Sequence, residues 1–354
     1  MKAMILAAGL GTRLRPLTNV VSKPMVQMAG RPCMEYAVRL LARYGIKDII
    51  VNLHYMPELI QQHFGDGADF GVNITYSYEE ELLGTAGGFK RVQDFFGAEQ
   101  ALIISGDALT DINLEAFLNF HNKNSGIATL ALKRVADPTQ YGVVLLEENR
   151  IIRFQEKPKR EEAVSNLANT GIYLFNPEIF DHIPADTFYD FGKQVFPELL
   201  AKKEALYGYV MRDYWCDVGS LNVYKEAHYD MLTGVVQVDL PGKRFEGNIW
   251  LGQRCSISPK TKIVGPVLIG NNTTIEDGAC IYGPAIIGDN TVIGSNAVIK
   301  RGILWDNVVI SSNVELADCV IACDCIIPPN ILLRNEVLEK SIVHSVCEVA
   351  ASQA

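Results

Sequence analysis

Ile269-Gly-Asn-Asn-Thr-Thr-Ile275-Glu-Asp-Gly-Ala-Cys-Ile281-Tyr-Gly-Pro-Ala-Ile-Ile287-Gly-Asp-Asn-Thr-Val-Ile293 returns an isoleucine at every sixth position, with mostly glycine, polar and small residues between. The series begins at Ile257 and Ile263 and runs on to Ile299. A helix repeats about every 3.6 residues and a strand every two, so neither explains a period of six. A parallel β-helix does. Each hexad forms one flat face of a coil, and the isoleucines stack inside it. The phase slips near Gly302, but Ile310, Leu316, Ile321 and Ile327 extend the pattern.

Upstream, Val235 to Gly247 contains Asp239, Pro241 and Gly242 and reads as a connector. Before it the texture is different. Met4 to Ala8 reads as a strand ending in glycines, Asp48 to Leu53, Val72 to Tyr78 and Leu102 to Ser105 as further strands, and Met34 to Arg43 and Pro57 to Phe64 as helices. Strands alternating with helices imply an α/β, Rossmann-like domain with a mostly parallel sheet covered on both faces. The expected organisation is a first domain over 1–235, a linker over 236–246 and a β-helix over 247–345. In such sheets ligands sit beyond the carboxyl ends of the strands. Those ends carry Gly9 to Arg13, Asn52 to His54, Glu79 to Glu81 and Gly106-Asp107.

Composition narrows the classes. The chain has 354 residues, 48% apolar and 21% charged, with a net charge of −9. That supports a large core and argues against nucleic acid as a partner, because a groove for its backbone needs the opposite sign. No apolar run approaches the 18 or so residues of a membrane span, and Met1 to Gly11 reads as a buried strand rather than a signal peptide. Eight cysteines form no CxxC pair, which fits a reduced cytoplasmic compartment. Cys319, Cys323 and Cys325 cluster, with His344 beyond them, but their spacing is not that of a zinc site. They are expected to be small apolar residues in or beside the coils.

The motif Leu6-Ala-Ala-Gly-Leu-Gly-Thr-Arg-Leu-Arg-Pro-Leu-Thr18, followed by Ser22-Lys-Pro-Met25, places a glycine-rich turn after a strand. Backbone N–H groups in such a turn can approach phosphate oxygens closely. It is neither GxGxxG nor GxxxxGK[ST]. The whole string resembles the signature of sugar-1-phosphate nucleotidyltransferases, the pyrophosphorylases that make nucleotide sugars. Leu83-Gly-Thr-Ala-Gly-Gly88 resembles that family's base-binding loop, and Ser105-Gly-Asp107 its metal-binding strand end. Tyr141-Gly-Val-Val144, Glu156-Lys-Pro158 and Asn169-Thr-Gly171 resemble its sugar-phosphate segments, and Trp215-Cys-Asp-Val-Gly219 its second metal segment. The C-terminal repeat resembles the hexapeptide-repeat β-helix, from which its left-handedness is inferred.

The resemblance implies a reaction between two anions, a sugar 1-phosphate and the α-phosphate of a nucleoside triphosphate. Catalysis then rests on positioning and charge neutralisation. Asp107 and Asp217 are expected to hold Mg²⁺, Arg13 to stabilise departing pyrophosphate, and Lys23 to contact the triphosphate. Leu6, Ala7, Gly9, Gly11, Thr12, Gly84, Thr85 and Ala86 are expected to line the nucleotide. Lys157 is expected to hold the sugar phosphate, with Glu156, Asn169 and Thr170 beside the sugar and Gly142 leaving room for its ring. The segment Tyr78-Glu-Glu-Glu-Leu-Leu-Gly84 bears on the base. A carboxylate at Glu79 or Glu80 accepts two hydrogen bonds from guanine, whereas glutamine suits uracil or thymine. The string also resembles the mannose-1-phosphate guanylyltransferase branch, so GTP with mannose 1-phosphate is expected. UTP or dTTP with glucose 1-phosphate is the alternative.

Two other classes fit the residues less well. An acyl-transferring β-helix usually carries a catalytic histidine, and none stands between Val235 and Val343. A non-catalytic regulatory subunit tends to lose its site charges, whereas Arg13, Lys23, Asp107, Lys157 and Asp217 all stand here. The coils are therefore expected to serve stability and homo-oligomeric assembly.

Overall fold

In the computed structural model, residues 1–340, Val343 and Ser345 are described; the last stretch of the expected 247–345 β-helix is described only in part, and His344 and Cys347 lie outside the described residues. By its contacts the chain forms two units. One comprises Met1–Leu10, Ser22–Pro24 and Met34–Asp217, the other Gly11–Val21, Met25–Cys33 and Val218 onward.

The first unit is built on a nine-stranded sheet. Its spatial order is Asn73–Tyr78, Asp48–Leu53, Lys2–Leu6, Ala101–Ser105, Leu167–Phe175, Ala128–Arg134, Leu206–Val210, Arg150–Glu156 and Gly142–Glu147. The first four strands are parallel. Asp48–Leu53 is buried at every position but its first, as a strand covered on both faces must be. The expectation of a mostly parallel sheet holds for this half; beyond it one pairing, Leu206–Val210 with Ala128–Arg134, is parallel and the rest are antiparallel. Leu167–Phe175 runs antiparallel to both of its main neighbours, and Arg150–Glu156 antiparallel to Gly142–Glu147 and Leu206–Val210. One of these pairs follows from its connection: residues 148–149, between Gly142–Glu147 and Arg150–Glu156, are too few for a parallel crossover. The first strand also ends at Leu6, not Ala8. The Ala7 amide turns away to the Asn52 side-chain oxygen at 2.8 Å.

The second unit holds the expected left-handed parallel β-helix, three sheets of stacked short strands. Ile275, Ile281, Ile287, Ile293 and Ile299 are buried in its core, as are Cys319 and Cys325. The phase slip has a physical cause. Ile269 pairs with Ile287, eighteen residues on, whereas Ile287 pairs with Leu304, seventeen on. The first coils turn one corner through Gly265-Pro266 and Gly283-Pro284. Later coils turn it through Arg301, Asp318 and Asn335, at φ 52°, 56° and 57°, and save one residue. Another corner is a column of left-handed residues, Arg254, Asn272, Asn290, Asn307 and Asp324. Asparagine tolerates that conformation better than most side chains. Each side chain in the column donates to the next, from Arg254 to Asn272 at 2.6 Å through to Asp324 at 3.0 Å.

The expected boundary at residue 235 does not follow the contacts. The helix Leu221–Thr233, N-capped by Ser220 and closed by Gly234 at φ 76°, belongs to the second unit. It is pinned to the coils by Trp305 Nε1 donating to Tyr224 Oη at 2.7 Å and by Lys225 donating to the Asp318 carbonyl at 2.6 Å. Within the expected linker, Lys243–Phe245 is a strand paired antiparallel with Ile249–Leu251. No helix among the described residues is long and apolar enough to cross a membrane.

Candidate active site

The parallel half of the sheet changes winding direction between Lys2–Leu6 and Ala101–Ser105, which opens a crevice at their carboxyl ends. The two chain ends are stitched there by the Gly106 amide donating to the Leu6 carbonyl at 2.9 Å. Asp107 follows directly. Ala108–Thr110 then pairs antiparallel with Trp215–Asp217, in a register that sets Asp217 opposite Ala108. This small two-stranded sheet brings together carboxylates that lie far apart in the chain. Between them sits the Lys23 ammonium, 2.5 Å from Asp107 Oδ2 and 3.1 Å from Asp217 Oδ1.

Lys23 is only 8% exposed. Burial disfavours its charged form, but the two carboxylates outweigh that and hold its pKa above the ordinary lysine value. Burial likewise pushes the Asp107 carboxyl up. Lys23 and a hydrogen bond from the Ser105 hydroxyl outweigh it, so Asp107 stays ionised below the usual range. Two carboxylates therefore meet at one cationic point. Among the described residues no group of three or more metal-ligating side chains converges. A pair of carboxylates is a donor set that fits an ion such as Mg²⁺, which takes its other ligands from phosphates and water.

On the nucleotide side, Ala7 is held by Asn52, and Gly9 leaves open space: a Cβ there would meet nothing within 4 Å. Glu79 is not a surface carboxylate poised for a base. It is 1% exposed, and accepts from Asn52 Nδ2 at 2.8 Å and from the Leu83 amide at 3.0 Å. Of the two glutamates considered, only Glu80 is exposed. The 84–91 helix begins with Gly84, Thr85 and Ala86. Its opening glycines face protein: a Cβ on Gly84 would lie 2.5 Å from the Tyr189 carbonyl oxygen, and one on Gly87 2.5 Å from that of Thr187. The Ala86 amide donates to the Tyr189 carbonyl at 2.9 Å.

On the sugar side, Gly142 does not leave an open space. A Cβ there would lie 2.6 Å from the Phe154 ring and 2.9 Å from Glu156 Oε2, so the glycine makes room for the chain's own side chains. Burial pushes the Glu156 carboxyl up; Lys157 opposes this and Asp190 adds to it. Lys157 stands 60% exposed at φ 45°, a backbone conformation that costs a non-glycine residue energy and recurs at functional sites. Asn169 spends both ends of its amide internally, donating to Tyr173 Oη at 2.9 Å and accepting from the Gly171 amide at 3.2 Å. The Thr170 hydroxyl turns inward to the Ala131 carbonyl at 2.7 Å. These two residues lie where the register of Leu167–Phe175 against Ala128–Arg134 breaks, an irregularity common beside active sites. Sequence reasoning placed Asn52 and Ser105 at strand ends beside the site but gave neither a role of its own, and it missed Asp190.

Gly11, Thr12 and Arg13 fall in the second unit. Gly11, at φ 63°, opens the turn Thr12–Leu14, and its carbonyl accepts from the Thr18 hydroxyl at 2.8 Å. Arg13 is exposed on that turn.

The nucleotidyl transferase family pattern matches residues 2–234, most of the chain. This chain belongs to the nucleotidyl transferase family. Its coils match the bacterial transferase hexapeptide repeat over 266–301. The nucleotidyltransferase is 37% identical to a UTP–glucose-1-phosphate uridylyltransferase of Synechocystis sp. over 300 residues, 75% of this chain and 77% of that one. It is 35% identical to a mannose-1-phosphate guanylyltransferase of Mycobacterium tuberculosis over 266 residues, 74% of this chain and 73% of that one. Among solved structures it resembles a putative glucose-1-phosphate thymidylyltransferase of Bacillus anthracis in complex with a sucrose. That likeness has a TM-score of 0.61 at 26% identity and covers 68% of this chain and 97% of the other. The nucleotidyltransferase is thus an enzyme of the class that makes nucleotide sugars, and its substrates are a nucleoside triphosphate and a sugar 1-phosphate.

Proposed function

We propose that this enzyme couples GTP to mannose 1-phosphate, giving GDP-mannose and pyrophosphate, with Mg²⁺ held by Asp107 and Asp217. The observation that carries the chemistry is the Lys23 ammonium lying within 3.1 Å of both carboxylates. A phosphate oxygen of the sugar 1-phosphate bonds to the α-phosphorus as the bond to the bridging oxygen breaks and pyrophosphate leaves. Bound Mg²⁺ supplies neutralisation of the developing phosphate charge. Lys23 turns its ammonium to the triphosphate, and Arg13 meets the leaving pyrophosphate. Glu156 orients the sugar hydroxyls while Lys157 holds the sugar phosphate. The exposed Glu80 is the carboxylate that supports a guanine base.

A second reading, UTP or dTTP with glucose 1-phosphate, is favoured by the commitment of Glu79 to Asn52 and Leu83, which removes one of the two candidate base carboxylates. Pyrophosphate release with five nucleoside triphosphates, each with mannose 1-phosphate and glucose 1-phosphate, separates the two. A preference for GTP with mannose 1-phosphate is expected, and a preference for UTP or dTTP with glucose 1-phosphate overturns the choice of base. A cytoplasmic homo-oligomer belongs to the same reading. The outward column Val292, Val309 and Ile326 lies in register along one face of the coils and supports assembly there. Light scattering tests it, and a monodisperse monomer counts against it.

A further inference from the structure

The start of the 84–91 helix and the segment 189–193 are joined by several hydrogen bonds. The Tyr189 amide donates to the Leu83 carbonyl at 2.8 Å, and the Tyr189 carbonyl accepts from Ala86 and Gly87 at 2.9 and 3.0 Å. One residue on, the Thr85 hydroxyl donates to Asp190 Oδ2 at 3.1 Å and accepts from the Phe191 amide at 3.0 Å. The other Asp190 oxygen accepts from the Gly192 and Lys193 amides at 3.0 and 3.3 Å. Asp190 therefore bridges two elements, one oxygen on each.

The second element leads to the sugar side. The turn that Asp190 caps packs its Gly192 against Glu156 so closely that a Cβ would lie 2.6 Å from Glu156 Oε2. A shift of the turn has to move that carboxylate. Beneath the turn, Phe191 and Phe196 stack at 5.8 Å and the cluster extends to Phe89 on the 84–91 helix, so the brace rests on a rigid floor.

We propose that Asp190 is a positioning residue that couples the nucleotide subsite to the sugar-phosphate subsite through Thr85 on one side and the Gly192 turn against Glu156 on the other. The proposal rests on the nucleotidyltransferase reading of these two subsites. Binding of the nucleotide orders the start of the 84–91 helix, Asp190 transmits that order to the turn, and Glu156 is set before the sugar arrives. A hydrogen bond to a charged carboxylate is among the stronger kinds, and losing part of a preorganised site through it shifts an apparent affinity by roughly 3- to 30-fold.

The test is steady-state kinetics of Thr85→Val, Thr85→Ser and Asp190→Ala with each substrate varied separately, alongside thermal unfolding. Thr85→Val is expected to raise KM for the sugar 1-phosphate several-fold although Thr85 lies on the nucleotide side, and Thr85→Ser is expected to restore it. Asp190→Ala is expected to raise KM for both substrates. If Thr85→Val changes only the nucleotide KM, or changes only the melting temperature, the coupling is refuted while the enzymatic reading stands. A wild-type protein that releases no pyrophosphate with any substrate pair refutes both together.

Discussion

Glu79 and Asn52 form a buried pair at 2.8 Å, and the other end of the same asparagine amide holds the Ala7 backbone. Three strand ends of the parallel sheet are thus tied side by side, with Leu83 as a fourth anchor. The geometry leaves no freedom to exchange oxygen for nitrogen: Asn52 must keep its oxygen toward Ala7, so Glu79 must present acceptors only.

Glu79→Gln therefore puts an amide N–H₂ against either Asn52 Nδ2 or the Leu83 amide. A loss of about 1–3 kcal/mol of stability is expected, with a higher KM for the triphosphate and an unchanged order of preference among bases. Thermal unfolding and the substrate matrix check this. A switched base preference at unchanged melting temperature would place the carboxylate at the base after all.

Asp107→Asn and Asp217→Asn are each expected to lower kcat by on the order of 100-fold or more, the scale of losing one preorganised electrostatic contact. Chelation of Mg²⁺ in the wild type is expected to abolish pyrophosphate release, and added Mg²⁺ to restore it. Full activity of Asp217→Asn at saturating Mg²⁺ would remove Asp217 from the metal.

Gly142→Ala forces a methyl group onto Phe154 and Glu156. The expected outcome is an overpacking cost of roughly 1–3 kcal/mol together with a raised KM for the sugar 1-phosphate. Kinetics with the sugar varied alone provide the check; an unaltered sugar KM would mean that Glu156 is not the contact.

His228 is buried, its Nδ1 donating to the Tyr224 carbonyl at 2.8 Å, and burial lowers its pKa from the usual 6.5 to about 4. The neutral ring is favoured when folded, so its contribution to stability is complete above pH 6.5. It is lost as pH falls toward 4, because the unfolded chain takes up the proton first. The loss approaches about 3 kcal/mol by linkage. Melting temperature against pH for wild type and His228→Asn is the measurement. The wild-type curve should fall more steeply between pH 6.5 and 4, and parallel curves would show that this ring is not responsible.

How far the sequence disclosed these features depended on where each residue finds its partners. The isoleucines of the coils are their own partners at a fixed spacing, so the β-helix was legible, and even the slip at Gly302 marked a real change of coil length. Asp107 and Asp217 stood out as carboxylates at strand ends inside recognisable motifs. Glu79 did not reveal its role, because that depends on Asn52, 27 positions earlier. Whether Gly142 spares space for a ligand or for Phe154 is decided by a neighbouring strand. The antiparallel pairings of the sheet were hidden for the same reason: the apolar pattern of a buried strand carries no sign of its direction.

The side-chain column from Arg254 through Asn272, Asn290 and Asn307 to Asp324 has a sense of direction. It opens on a guanidinium, which can only give protons, and closes on a carboxylate, which when ionised can only receive them. Every amide between is therefore oriented the same way, and the row reads like a sentence with a first word and a full stop. Lengthening the protein by a duplicated coil is grammatical anywhere inside the row. An asparagine can follow an asparagine without limit, but a coil added after Asp324 must begin again with a donor.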